Sequence, residues 1–421
     1  MPETCTNEAL ELSTSLLGWY AVTTSKSLVN NKIFFFSLFN EPLALFRDKN
    51  LKAICIKDVC AHRATSFRGG EMIDNEVICP YHGARYSSNH SSGKDKRVTC
   101  QYIVDSRYQN YAKSTHLRQY PCVEKGDYIY VYYDGKALVD PSDFILKSSV
   151  DSLFLESYGF QLADYSFEEA LLDFKCDWSR IVENHLDVLH IFWMHGQSLP
   201  GNDVGRHSIA SFDQQFKSNN NFFQTTYFHR GKDKHKGEFI TQAFYPPGRI
   251  VMYRGDPSSA RYVQVLDHIP LSNNRARVIV RHYRKFFRNR FLSRAMLFGS
   301  LQLKTFYRIF SEDYLVLMTQ TFNQQMGYMK TDNLRLLAED RSIKAFLDWH
   351  DRSIDIDRPW ELHSASSNIN QIHQDLLMVY PPANPILARK LDRIILSRVL
   401  ARLAVVLFVF VLASLILSLL L

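Results

Sequence analysis

The chain has 421 residues, enough for two soluble domains and something further, and 46% hydrophobic with 22% charged residues is a globular rather than a disordered composition. A net charge of +7 is modest for this length, and no nucleic-acid motif accompanies it, so no nucleic-acid partner is expected. All seven cysteines (5, 55, 60, 79, 100, 122 and 176) fall in the first 176 residues without regular spacing, which argues against a disulfide-stapled secreted protein and for a reducing compartment.

The N-terminal twenty residues carry early acids and no apolar core, so they read as neither a signal peptide nor an Arg-rich transit peptide. From 18 to about 135, short apolar runs alternate with turn signals: Ile33–Phe39, Leu43–Phe46, Ala53–Ile56, Val77–Cys79 and Tyr128–Tyr133. That is the pattern of a small all-β domain. Within it stand Cys60-x-His62, sixteen further residues, then Cys79-x2-His82. Four such donors can hold one tetrahedral zinc, or a [2Fe-2S] cluster in which the histidines serve one iron and the cysteines the other. Each pair mixes one Cys with one His, so two adjacent loop tips can present both sulfurs to one metal and both imidazoles to another. Zinc sites more often use like pairs.

A boundary follows near Asp140-Pro141, and from 150 to 375 the pattern is mixed. Pieces of Val204–Val280 read as strands, Phe222–Phe228 and Arg249–Tyr253 among them, while 165–190, 335–350 and, with interruptions, 295–325 read as helices. Inside this region Asn184, Asp187, His190 and His195 follow the spacing N-x2-D-x2-H-x4-H. Five residues turn an ideal helix by about 500°, so His190 and His195 would diverge by roughly 140° on a straight one. A shared metal therefore requires the helix to end or bulge between them. Farther on, Arg281–Arg294 interleaves six Lys/Arg with aromatics. It suits an anionic membrane surface or an acidic ferredoxin, and equally a solvated helix face with a packed aromatic stripe.

The Tyr380-Pro381-Pro382 break, with Pro385, precedes a basic segment over 386–402 that contains Arg389, Lys390, Arg393, Arg398 and Arg402. The nineteen residues 403–421 carry no charge and would span about 28 Å as a helix, against roughly 30 Å of hydrocarbon. They read as a membrane anchor with the soluble part on the cytoplasmic side; a buried terminal helix or a dimerisation helix is the alternative.

The Cys60–His82 stretch resembles the Rieske cluster motif, including Arg63 and the Pro80-Tyr81-His82-Gly83 ending, and departs from it at Ala84, where an aromatic residue is usual. Together with the later histidine pair, the arrangement resembles the Rieske non-haem iron oxygenases, most similar to the membrane-anchored pheophorbide a oxygenase and cell-death-suppressor-like group. The resemblance implies an α+β chain: an all-β Rieske domain over 18–135, a mixed α/β catalytic domain over 150–375 built on a helix-grip-like antiparallel sheet, and a C-terminal transmembrane helix. It implies a [2Fe-2S] cluster on Cys60, His62, Cys79 and His82 and a mononuclear Fe(II) on His190, His195 and a carboxylate.

Ser311-Glu312-Asp313 and the apolar run to Gln320 resemble the family's late acidic segment, which makes Asp313 that carboxylate and Glu312 the runner-up. By the same resemblance Asp187 links a cluster histidine of one subunit to an iron-binding histidine of the next in a homotrimer, and Asn184 stands near the iron without binding it. His185 is expected to pack or hydrogen-bond. The implied activity is that of an oxygenase component fed by an external ferredoxin or reductase and using O2 on a hydrophobic ring compound: tetrapyrrole, sterol or aromatic. No C-terminal CxxC, common in plant members, follows Cys176, which points to a bacterial or non-plastid relative. The rival reading is a membrane-anchored Rieske electron carrier without oxygenase activity.

Overall fold

The computed structural model describes residues 16–87, 97–133, 135, 155, 159–195, 214–219, 221–230, 237–286, 298–327 and 334–357. The segments 386–402 and 403–421, with the expected basic helix and anchor, lie outside the described residues. Among the described residues no helix is long and apolar enough to cross a membrane.

The alternating N-terminal runs become strands β1 (Gly18–Thr24), β2 (Phe34–Leu38), β3 (Glu41–Arg47), β4 (Ala53–Lys57), β5 (Glu71–Ile73), β6 (Glu76–Ile78), β7 (Arg85–Ser87), β8 (Arg97–Tyr102), β9 (His116–Tyr120), β10 (Cys122–Lys125) and β11 (Tyr128–Tyr133). A short helix, α1 (Gln109–Lys113), lies between β8 and β9. The strands form an eight-stranded sheet in the order β2-β3-β4-β9-β8-β7-β6-β5 and a three-stranded sheet, β1-β11-β10. Phe67, Val77, Cys79, Ala84 and Tyr86 share a small core at the β5–β8 end.

The second region opens with β12 (Ser166–Phe174), then α2 (Trp178–Leu186) and α3 (Leu189–Met194). Strands β13 (Gln214–Ser218), β14 (Phe223–Arg230), β15 (Gly237–Tyr245), β16 (Arg249–Arg254), β17 (Tyr262–Ser272) and β18 (Arg275–Arg284) follow. With β12 they make a seven-stranded antiparallel sheet ordered β12-β18-β17-β16-β15-β14-β13. The long helix Phe298–Gln325 and the helix Arg341–Asp357 both pack against α2, which itself lies on β17. This is the expected α+β arrangement of an antiparallel sheet gripped by helices.

Three local readings of the sequence are corrected. Residues 166–174, read as the start of a helix, form β12: Glu, Ala and Leu favour helix locally, but strict in–out alternation and pairing with β18 along its whole length decide for strand. The helix read over 335–350 begins only at Arg341, after a turn in which Asp340 Oδ2 accepts Leu337 N at 2.8 Å. The helix over 295–325, read as interrupted, runs unbroken from Phe298.

The basic segment is also not what its composition suggests, because Arg281 and Arg284 are each 1% exposed on β18. Arg281 pairs with Glu169 at 2.8 Å, donates to the carbonyls of Gly126 and Asp127, and lies 3.5 Å over the Tyr128 ring. Arg281 thus ties the two domains together, while Arg284 pairs with Glu168 on β12 at 3.2 Å, and neither faces a membrane or a partner. Residues 287–294 lie outside the described residues.

A buried Arg249–Asp267 pair at 2.7 Å, with Arg249 Nη2 donating to Tyr130 Oη at 2.9 Å, makes a second weld between the domains. Phe39 N and Asn40 N donate to the carbonyls of Pro270 and Leu271, and one apolar core runs through both domains. The two candidate sites are therefore carried on a shared frame.

Candidate metal centres

The first candidate site sits on the β4–β5 and β6–β7 connections. Each loop closes on its cysteine: Cys60 N donates to Thr65 O and Ala64 N to Cys60 O, and likewise Cys79 N to Ala84 O and Gly83 N to Cys79 O. Gly83 takes φ +63°, the left-handed conformation the second turn needs. The Asp58 carboxylate braces the first loop by accepting from Ser66 Oγ and Phe67 N, each at 2.7 Å.

Both cysteines are 2% exposed, whereas His62 and His82 are half-buried with ring centroids 4.6 Å apart. Sulfurs thus gather inside and imidazoles outside. Burial raises the Cys79 thiol, the Tyr81 and His82 amides oppose this, and the adjacent Cys60 thiol adds to it. Tyr86 Oη lies 3.2 Å from Cys60 Sγ. A tetrahedral zinc, with bonds of about 2.0–2.3 Å, would need all four donor atoms within about 4 Å of one another. Among the described residues, the group of such donors within 4.8 Å of each other is a different one: His190, His195 and Asp313. The segregation of sulfur from nitrogen fits a [2Fe-2S] cluster.

That second group is assembled by a break in the helix. Asp177 caps α2 by accepting Ser179 N at 2.8 Å, and the helix ends at Leu186. Asp187 Oδ1 then accepts Leu189 N at 2.7 Å and His190 N at 3.3 Å, starting α3. This short helix stops at Met194, so His195 is the first residue beyond it. The termination meets the requirement set by the 140° divergence, and the two rings come to 5.3 Å between centroids, nearly perpendicular.

Asp313, 2% exposed on the long helix, places Oδ1 3.0 Å from His195 Nε2 and 3.7 Å from His190 Nε2. His190 Nδ1 donates to the Asp187 carbonyl at 2.8 Å, and His195 Nδ1 lies 2.7 Å from Glu312 Oε2. Both imidazoles are thereby held by Nδ1 and aim Nε2 at one point beside a carboxylate, the donor chemistry of a facial two-histidine, one-carboxylate iron site. Burial lowers His190 despite the acids nearby. Burial also pulls on His195, but Asp313 and Glu312 together outweigh it and leave it raised.

Asn184 Nδ2 donates to Asp313 Oδ1 at 3.4 Å, close to the triad as expected. Asp187 reaches His190 through its main-chain carbonyl, its carboxylate standing 3.7 Å off. Glu312 is the runner-up whose place is now clear: it steadies His195 from behind while its neighbour faces the ligand side. Two further residues carried no signal in the spacing. Tyr86 meets Cys60 only through the β7 pairing, and His268, from β17, meets His185 at 2.8 Å.

Comparison with known proteins agrees with this layout. The family described as Rieske [2Fe-2S] domain matches residues 18–121, and that described as vanillate O-demethylase oxygenase C-terminal domain matches 174–354. Chlorophyllide a oxygenase of Chlamydomonas reinhardtii is 25% identical over 42% of this chain and 24% of its own length. The iron-sulfur subunit TsaM1 of the toluene-4-sulfonate monooxygenase system of Comamonas testosteroni is 23% identical over 43% of this chain and 46% of its own. The oxygenase component of dicamba O-demethylase from Stenotrophomonas maltophilia is 25% identical over 42% and 47%. These matches span less than half the length of each relative. In fold, the chain resembles the crystal structure of dicamba monooxygenase bound to dicamba with a TM-score of 0.60 at 15% identity, covering 81% of this chain and 97% of that one. The chain thus carries a Rieske [2Fe-2S] domain followed by a domain of the vanillate O-demethylase oxygenase C-terminal type.

Proposed function

We propose that this chain is the oxygenase component of a multi-protein system, receiving electrons from an external ferredoxin or reductase and using O2 to oxygenate a hydrophobic ring substrate. The carrying observation is the convergence of His190, His195 and Asp313 within 4.8 Å on a chain that also bears the Cys60–His82 loops. When bound, the cluster on Cys60, His62, Cys79 and His82 supplies single electrons, and the iron on the triad supplies dioxygen chemistry. The protein's own part is positional. Asp187 O and Glu312 fix the two imidazoles, Asn184 steadies Asp313, and three ligands leave the opposite face free. The sequence has no flavin or nicotinamide motif, which supports a separate protein as electron donor.

The relatives' names include both a tetrapyrrole and small aromatics, so tetrapyrrole, sterol and aromatic rings all stay within the proposal. An electron carrier without oxygenase activity needs only the first domain and gives no reason for the buried triad. Oxygen uptake by the protein with a ferredoxin–reductase pair, across a sterol, aromatic and tetrapyrrole panel, tests the proposal. Substrate-dependent uptake with an oxygenated product supports it; a reduced cluster with no uptake on any of them favours the carrier.

The proposal extends to assembly and location. The Asp187 carboxylate is 28% exposed, which leaves it reachable by a cluster histidine of a second copy, as a head-to-tail homotrimer requires. The apolar 403–421 stretch and basic 386–402 segment support a single-pass membrane anchor with the catalytic domains on the cytoplasmic side. Sedimentation in detergent tests the trimer. Release from membranes on truncation after 385 tests the anchor.

A further inference from the structure

The register of the seven-stranded sheet gathers one set of strand ends. Arg230 pairs with Gly237, Ile240 with Arg254, Tyr253 with Val263 and Tyr262 with Arg284, so the ends of β14, β16 and β18 and the starts of β15 and β17 all lie at one end of the sheet. Hydrogen bonds make the described part of that end continuous. Gly255 N donates to Phe239 O at 2.8 Å, Lys285 N to Arg261 O at 3.0 Å and Lys285 Nζ to Ser258 O at 3.0 Å, while the Arg261 guanidinium stands 5.9 Å from the centre of the Phe286 ring.

Two aromatic side chains are exposed there, Phe239 at 53% and Phe286 at 37%, amid exposed Arg254 and Arg261 and half-buried Lys285. Asp256, the acid of the β16–β17 connection, is held in its own turn, where it accepts Ser258 N at 2.9 Å. In sequence, the stretches 230–239, 254–261 and 285–294 together hold ten Lys/Arg against three acids. That excess sets the sign of the field at this end, which attracts an anionic partner and repels a cationic one.

The opposite end of the sheet meets the Rieske domain. Phe39 N and Asn40 N donate to the carbonyls of Pro270 and Leu271 beside the β17–β18 turn, and a Cβ on Gly18 would stand 3.1 Å from the Pro247 ring in the β15–β16 turn. An electron donor has to reach the Cys60–His82 loops, which that domain carries, so it does not account for the charge at the far end. Cations set among exposed phenylalanines suit a lipid interface, where the cations meet phosphate headgroups and the rings enter the boundary beneath them. The uncharged 403–421 stretch of the same chain points to the same neighbour. We propose that this end of the catalytic sheet, through Phe239, Arg254, Arg261, Lys285 and Phe286, rests on an anionic phospholipid surface. The contact is additional to a single-pass anchor, orients the catalytic domain on the bilayer, and does not depend on the oxygenase reading.

Hydrogen–deuterium exchange on the full chain tests it, in nanodiscs of phosphatidylcholine alone and of phosphatidylcholine with roughly a third phosphatidylglycerol. Amides of 237–241, 254–262 and 284–286 are expected to exchange about five- to tenfold more slowly in the anionic discs, since each cation near such a surface strengthens binding about fivefold. The β15–β16 turn, 245–249, is the control and should not change. Protection should vanish in about 1 M salt, which screens charges beyond about 3 Å, and in the combined Arg254→Gln, Arg261→Gln, Lys285→Gln variant. Should that variant not fold, the salt comparison carries the same test. Equal exchange in the two discs, or protection that survives the salt, overturns the inference. So does protection by an acidic ferredoxin in detergent but not by the anionic disc, which would assign the surface to a protein. A chain that enters both discs without protection here contradicts this inference and leaves the anchor standing. One that binds only the anionic lipid, and is released by salt, supports this inference and contradicts the anchor.

Discussion

Glu312 Oε2 lies 2.7 Å from His195 Nδ1, behind the imidazole whose Nε2 faces Asp313 at 3.0 Å. Consecutive acids on one helix thus take opposite sides of one ring. Partners behind a ligand typically change metal affinity by about 10–100-fold. Glu312→Gln is expected to weaken iron binding within that range while leaving the cluster's absorption unchanged, measured by chelator competition. An unchanged iron affinity would show that His195 does not depend on this contact.

Much of this was legible in the sequence, for reasons that differ by residue. The Cys60–His82 donors stand out because loops supply both pairs, and their spacing survives folding. His190 and His195 could not be joined by spacing, since the outcome turns on where α3 stops, which Asp187 and the packing of α2 decide. Asp313 was preferred to Glu312 on resemblance alone, because the positions of two neighbouring acids do not reveal which of them the long helix turns toward both histidines. The buried arginines of β18 were read as surface because composition alone does not reveal Glu169 and the Tyr128 ring across the domain boundary.

Tyr86 Oη lies 3.2 Å from Cys60 Sγ. A hydrogen bond to a cluster ligand stabilises the more negative, reduced state. Tyr86→Phe should keep the cluster and lower its reduction potential by roughly 20–60 mV, the one-electron equivalent of one hydrogen bond. Protein-film voltammetry reads the shift; a potential that stays or rises contradicts the assignment.

The Arg249–Asp267 pair is buried on both sides. Removing one partner strands the other charge, at a cost of about 3–5 kcal/mol. Arg249→Met should therefore lower the unfolding free energy by that order, and adding Asp267→Leu should recover part of the loss. Denaturant unfolding of both variants gives the comparison.

Acid should weaken the fold through His268. Its folded-state value, about 4, lies below the roughly 6.5 of an unfolded histidine, so the unfolded chain takes up the proton first as pH falls. The stabilisation is present above about pH 6.5 and is lost progressively down to about pH 4, on the order of 3 kcal/mol for the full window. His268→Gln should flatten the pH dependence of unfolding in this range. A slope equal to the wild type's would mean that His268 is not held neutral.

Iron counting with electron paramagnetic resonance, on the wild type and on His190→Ala, tests the central claim most directly. The account predicts about three irons per chain in the wild type, with a Rieske signal on reduction and a separate nitric oxide adduct at the mononuclear site. It predicts about two irons in His190→Ala, with the Rieske signal intact and substrate-dependent oxygen uptake abolished. A wild type holding only the cluster's iron, or a His190→Ala protein that consumes oxygen at the wild-type rate, would contradict it.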